Sequence, residues 1–425
     1  MKIFIVTLGS RGDVQPYTAL GRGLQAAGHT VTLCTSSSFE SFVVDHGLRY
    51  GYMNDGIIKL MNSDIGREAM ENMSNLWKGI KTACKLMKQA GPLQRQAISD
   101  SWDSAMQAHP DLILFHPKAF WAPHFAEALK VPVMLAFYLP MYAPTAEFPN
   151  IGFPRWKLGG WYNKLTYTLV LKLASLMGRK YIKEWRAAQN ISHRSGADFM
   201  HNEEGNPIPI LHGFSPHVIP PPSDWPDYIT TTGYWFLDRQ EAWTPSPALQ
   251  EFLQAGAPTV YVGFGSVSGR HPKRLADIVV ESLRQANVRG VLASGWGGLD
   301  AGDLPDSIIH IDQAPHDWLF PQMAAVAHHG GAGTTAAGLR AGRPTIVCPF
   351  FGDQPFWGRR VHALGVGVEP IPQKKLTVEK LTAAICEAAT NPTIRRNAEA
   401  LGEKIRREDG IGHAVSFIEQ YTKKR

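Results

Sequence analysis

The sequence predicts two doubly wound α/β domains in tandem, and three observations carry that reading. Short, nearly continuous apolar runs alternate with amphipathic helical stretches, the pattern of parallel strands buried on both faces. The alternation breaks at HVIPPPSDWPDYITTTGY (217–234), where a run of prolines cannot continue a helix and holds the chain extended. A length of 425 residues exceeds what one typical core encloses. The implied spans are an N-terminal domain over 1–225, a C-terminal domain over 226–405, and a terminal helix over 406–425 packing back on the first domain.

The elements follow in order. Candidate strands of the first half are Ile3–Leu8, Thr30–Thr35, Leu112–His116 and Val131–Phe137. The segment from about 55 to 108 is helical, rich in Met, Lys and Trp, and reads as an insertion beside the sheet. Beyond the prolines come Thr259–Phe264, Gly290–Ala293, Ile308–Asp312, Ala325–His328 and Pro344–Cys348. Ile411–Tyr421 has helical apolar spacing. Open α/β sheets bind ligands outside the carboxyl ends of their strands. That rule selects the loops after Leu8, His116, Phe264, His328 and Phe350, and two such domains facing across a cleft would converge them.

Composition narrows the class. With 44% hydrophobic and 19% charged residues the chain reads as globular. It has no apolar run of membrane-spanning length, and its first residues already read as strand, so a cytoplasmic protein without a targeting segment is expected. The four cysteines, Cys34, Cys84, Cys348 and Cys386, form no CxxC pair, which argues against a disulfide framework or structural zinc. A net charge of +6 is too small to argue for nucleic acid.

Three loops carry chemistry. In HHGGAGTT (328–335) a strand runs into Gly330, Gly331, Ala332 and Gly333 and then a helix. Exposed N–H groups at such a start hold phosphate, and His329 beside them can stabilise a leaving phosphate's charge. A glycine-rich turn with a buried histidine fits equally well. One strand later, FFGDQ offers Asp353 and Gln354, whose donors and acceptors match adjacent sugar hydroxyls; Asp353 also fits a helix N-cap. At the start, TLGSRGDVQP places Asp13 where a phosphate loop would hold an anion. It reads either as a cap or as a general base.

From about 256 to 367 the sequence resembles the nucleotide-sugar half of family 1, GT-B-fold glycosyltransferases. HHGGAGTT…LRAGRPTIVCPFFGDQPFWGRR is similar above all to the sterol 3-β-glucosyltransferase branch, and TLGSRGDVQPYTALGRGL resembles that branch's N-terminal signature. The resemblance implies that His329, Gly331, Gly333, Thr334 and Thr335 contact the diphosphate and that Asp353 and Gln354 hold the sugar. It puts Ser266 near phosphate and Trp296, Gln313 and Ala314 near the uracil ring, with Ser10 and Arg11 also on the donor side. Gln313 stands where many relatives carry a stacking tryptophan. Asp13 occupies the position of a histidine base found in many members, and His116 lies close to where those members place the base's aspartate partner, an inverted pairing.

The resemblance further implies an inverting, metal-independent transfer of glucose from UDP-glucose, a co-substrate rather than a cofactor. The acceptor is a bulky apolar alcohol, first a sterol, with macrolide, triterpenoid or flavonoid aglycones as alternatives. A nucleotide-sugar 2-epimerase or a non-catalytic binder are readings of other classes. AFYLPMYAPTAEFPNIGFP (136–154) supplies acceptor-side candidates Phe137, Met141, Tyr142 and Phe148. WYNKLTYTLVLKLASLMGRKYIKEW (161–185) reads as an amphipathic helix that lies on a membrane or packs on its own domain.

Overall fold

The computed structural model describes residues 1–66, 68, 76–192, 199–238, 243–256, 258–264, 272–293 and 304–423. Two compact units emerge: Met1–Leu237 together with Asp409–Arg425, and Asp238–Glu408.

The first unit is built on a seven-stranded sheet of β1 Lys2–Val6, β2 Thr30–Ser36, β3 Arg49–Met53, β4 Leu112–Phe115, β5 Val133–Phe137, β6 Ile210–His212 and β7 Ile229–Thr231, in the order 3-2-1-4-5-6-7. Every pairing is parallel. Side chains of β1 alternate between two cores: Phe4 and Val6 join one, Ile3 and Ile5 the other. A strand buried on both faces is apolar at successive positions, here Ile3 to Val6, which is why it was legible.

The helix Leu76–Ala108 corrects one expectation. It is not an insertion beside the sheet, because Ala97, Ile98 and Ala105 pack in the same core as Phe4 and Val6. Three strands were not foreseen. β6 and β7 have three residues each, too few for a period to show. β3 exposes Arg49 and half-exposes Tyr50 at the sheet's edge. β7 also falls inside the stretch read as a linker. Its pairing with β6 carries the first unit to Leu237 rather than to 225.

The helix Gly410–Lys423 joins the first unit's core through Ala414 and Ile418. It lies against the helix Arg11–Ala26 so closely that a Cβ on Gly23 would sit 2.1 Å from Ile411 Cγ2. His29 Nε2 and Glu419 Oε1 pair at 3.1 Å across the same seam.

The segment 161–185 is part of one helix, Gly160–Ala188. Tyr162, Tyr167, Ile182 and Trp185 are buried in its own unit, while Trp161, Leu165, Leu169, Leu173, Leu176 and Met177 are exposed. Among the described residues no helix is long and apolar enough to cross a membrane.

The second unit carries a five-stranded sheet of β8 Thr259–Gly263, β9 Arg289–Ala293, β10 Ile308–Ile311, β11 Ala325–His328 and β12 Thr345–Val347, in the order 10-9-8-11-12. All its pairings are parallel. Here too β8 alternates, with Val260 and Val262 on one side and Tyr261 on the other.

Gly23→Val should lower the stability of the first unit by about 1–3 kcal/mol, because the helix Gly410–Lys423 must move off its seat. A urea midpoint unchanged from that of the native chain would contradict the close helix contact.

Candidate active site

In the first unit the chain leaves β1 through Thr7, Leu8 and Gly9, and Ser10 caps the helix Arg11–Ala26. Gly9 has φ +145°, and a Cβ there would lie 2.1 Å from Asp13 Oδ2. Glycine is thus the residue that lets the backbone pass over the carboxylate. Asp13 is the third residue of the helix. Its Oδ2 accepts from the Ser10 backbone N–H at 2.7 Å and the Ser10 hydroxyl at 3.1 Å, a capping box with aspartate in the acidic position. Its Oδ1 accepts from Lys118 Nζ at 2.8 Å and from the Tyr138 hydroxyl at 2.6 Å.

His116 Nε2 lies 3.4 Å from Asp13 Oδ1, outside hydrogen-bond geometry. Its Nδ1 accepts the Lys118 backbone N–H at 3.0 Å, so in the neutral ring the proton belongs on Nε2, facing Asp13. The expected pairing of Asp13 with His116 is thus present in space.

Asp13 is 6% exposed, and burial works against its charged form, but Lys118 and His116 outweigh burial and hold the carboxyl well below its ordinary range. Burial pushes His116 down, against the pull of Asp13, which keeps the ring neutral. Lys118 and Tyr138 were missed in the sequence. Their signals were a lysine three residues past β4 in HPKAF and a tyrosine inside the apolar AFYLP.

Ser10 and Arg11 are exposed, and the Arg11 guanidinium lies 5.2 Å from the Phe42 ring centroid. Phe137 meets the His116 ring edge-on at 5.0 Å, and Tyr142 lies 5.6 Å from Phe137. Burial pushes the Tyr142 hydroxyl up to about 12. Met141 and Phe148 of the same loop are half-buried. Structure therefore groups Phe137 and Tyr142 with His116, with Met141 next to Tyr142 in the chain and Phe148 six residues beyond it.

In the second unit, β11 ends at His328 and the helix Ala332–Arg340 begins after Gly331. Gly330 takes φ +95°, and a Cβ on Gly331 would meet His329 Nε2 at 2.7 Å, so the imidazole lies over the glycine turn. Helix geometry leaves the first backbone N–H groups, including those of Gly333 and Thr334, without intrahelical partners. Thr335 turns its hydroxyl back onto the Gly331 carbonyl at 2.9 Å and is buried. Burial lowers the His329 pKa, opposed by the Gly263 carbonyl.

The turn after β12 packs directly on this loop: a Cβ on Gly330 would lie 3.1 Å from the Gln354 carbonyl oxygen. Asp353 stands at the N-cap of the helix Gln354–Ala363 without capping it, and its Oδ2 accepts the Trp357 indole N–H at 2.9 Å. Gln354 is buried. Its Oε1 accepts the backbone N–H groups of Phe350 at 2.7 Å and Phe351 at 3.2 Å, bracing the turn. Gln313 and Ala314 follow β10, the first exposed and the second half-buried. Ser266 and Trp296 lie outside the described residues. No cluster of His, Cys, Asp and Glu suited to a metal ion occurs among the described residues.

These features correspond to known families. Residues 3–147 match the glycosyltransferase family 28 N-terminal domain, and residues 294–409 match the C-terminal domain of erythromycin biosynthesis protein CIII-like proteins. The kitacinnamycin glycosyltransferase aligns over 98% of both chains with a TM-score of 0.72 at 20% identity. The spinosyn forosaminyltransferase aligns over 99% of both chains with a TM-score of 0.70 at 16% identity. The chain therefore has the GT-B glycosyltransferase fold.

Over 98% of its length it is 41% identical to a sterol 3-beta-glucosyltransferase of Emericella nidulans and 37% identical to one of Arabidopsis thaliana. By these identities the chain is similar to sterol 3-β-glucosyltransferases. The chain spans 30% of the Emericella relative's length and 64% of the Arabidopsis relative's.

Two outcomes follow from the Asp13 geometry. Gly9→Ala should cost about 2 kcal/mol, measured by urea unfolding, because its Cβ meets the carboxylate in a backbone region that L-residues avoid. Asp13 is ionised in the folded state well below its ordinary pKa of 3.8, so its stabilisation is present above that value and fades as pH falls below it. The stability gap between the native chain and Asp13→Asn should be full near about pH 7 and narrower near about pH 3. A gap independent of pH would contradict the pairing.

Proposed function

We propose that the protein is an inverting, metal-independent glucosyltransferase that moves glucose from UDP-glucose to the hydroxyl of a bulky apolar acceptor, first of all the 3-hydroxyl of a sterol. The observation that carries this reading is the Asp13 carboxylate, buried at the carboxyl end of β1 and held ionised by Lys118, Tyr138 and the Ser10 cap. A carboxylate needed only as a cap has no use for the first two partners. The identity to sterol 3-beta-glucosyltransferases supports the choice of acceptor.

In this mechanism the acceptor hydroxyl takes the place of the Lys118 ammonium, whose side chain is half exposed. As the acceptor oxygen bonds to the anomeric carbon, its proton passes to Asp13 Oδ1 and the bond from that carbon to the UDP oxygen breaks. A weak base suffices because the proton moves late, when the oxygen has become acidic. His116, with its proton on Nε2, holds the carboxylate in place and is a positioning residue. Charge on the departing diphosphate is met by the N–H groups at the start of the helix Ala332–Arg340 and by His329. Asp353 and Gln354 hold the sugar, and Phe137, Met141, Tyr142 and Phe148 border the acceptor. The protein works in the cytoplasm, in peripheral contact with a membrane that supplies the acceptor.

The test is incubation with UDP-glucose and a panel of sterols and polyphenols, following UDP by mass spectrometry with and without EDTA. Acceptor-dependent UDP, insensitive to EDTA, is expected; its absence with every acceptor would overturn the reading. Asp13→Asn should abolish turnover while leaving UDP affinity near the native value. His329→Ala should impair donor use with every acceptor.

Lys118→Ala removes a cation from Asp13 and so raises the carboxyl pKa. The acid limb of its kcat/KM profile should therefore move to higher pH than in the native chain. An unmoved limb would show that Asp13 is not the base.

A further inference from the structure

The helix Gly160–Ala188 buries one face and leaves the other unpartnered by its own unit. On the outward face Trp161, Leu165, Leu169, Leu173 and Leu176 recur at steps of four and three residues, which sets them in one stripe. Trp161 is 66% exposed, Leu173 60% and Leu176 65%. The segment entering the helix adds Trp156, 60% exposed, and Leu158, 48% exposed. Isolated exposed leucines need no explanation, but a continuous stripe of this length does.

The same face is basic. Lys164, Lys172, Arg179, Lys180 and Lys183 are exposed along it, and Arg155 and Lys157 precede it. Lys164 pairs with Asp224 at 3.4 Å, and the acidic Glu184 is taken by Arg95 at 2.7 Å. A depression lined by Leu176, Arg179, Lys180 and Lys183 marks where the apolar stripe meets the cations.

We propose that this face docks on an anionic lipid bilayer, with the helix Gly160–Ala188 lying in the plane of the interface. Tryptophan and leucine enter the outer hydrocarbon while lysine and arginine stems extend to the phosphate level, an arrangement one surface satisfies at once. A second copy of the chain would instead bring the Lys172, Arg179, Lys180 and Lys183 of both partners into one interface of like charge. The proposal rests on the apolar-acceptor reading for its purpose, since a protein lying on a membrane meets its acceptor there, but docking itself needs neither donor nor acceptor.

Flotation of the full chain with vesicles of phosphatidylcholine, alone or mixed with phosphatidylserine, tests the proposal. The native chain should float with the mixed vesicles and release at high salt. Leu173→Glu with Leu176→Glu should lose flotation on both. Arg179→Gln with Lys180→Gln and Lys183→Gln should weaken partitioning onto mixed vesicles by roughly a hundredfold and leave the neutral vesicles unaffected.

All five positions are exposed, so unchanged thermal unfolding and unchanged UDP release with a water-soluble polyphenol confirm intact variants. A native chain that floats with neither vesicle, or variants that float as well as the native chain, would overturn the proposal. So would a dimer by light scattering that the two leucine changes dissolve, which assigns the face to self-association. If the transferase reading fails, UDP release is absent in every chain while flotation stands.

Discussion

A carboxylate taken out of water at the end of a parallel sheet is tolerable only when paired, and the pairing fixes what surrounds it. Asp13 meets that condition with the Ser10 cap on one oxygen and Lys118 and Tyr138 on the other. Those partners come from separate segments: the loop after β1, the loop after β4 and the loop after β5. Satisfying one charge therefore ties together three neighbouring strand ends. Gly9 belongs to the same constraint, since any side chain there would displace the carboxylate. His116 completes it by offering its neutral Nε2 face without adding a competing charge.

In the second unit the governing constraint is close approach of backbones. Gly330 lets the loop after β11 lie against the first turn of the helix Gln354–Ala363, and Gln354 uses its side-chain carbonyl to hold Phe350 and Phe351. Two loops that looked independent in the sequence form one rigid rim. The helix start at Ala332 and the Asp353 carboxylate are set by that packing, so a change in one loop is felt by the other.

How much of this was legible depended on whether the signal was local. Strands such as β1, β8 and β11 declared themselves because burial on both faces leaves their central positions apolar. β6 and β7 did not, since three residues carry no period. Asp13, His116 and His329 stood out through residue type and glycine context. Lys118 and Tyr138 could not, because a lysine in a loop and a tyrosine in an apolar run acquire meaning only when folding brings them to the same oxygen. Gln354 carries a role its residue type did not announce: its side-chain carbonyl braces the turn.

The helix Gly160–Ala188 illustrates why periodicity alone leaves such questions open. Apolar residues occur on both of its faces, so no single hydrophobic direction identifies the core side. Tyr162, Tyr167, Ile182 and Trp185 face inward, and the leucines face out. A sequence selected only for solubility would replace those leucines, since exposed apolar area invites association. Their presence beside a row of lysines and arginines is consistent with a surface shaped by two solvents, water and lipid. On the proposed reading, a unit that carries such a face would take an insoluble alcohol from the membrane while its donor, a charged nucleotide sugar, arrives from water.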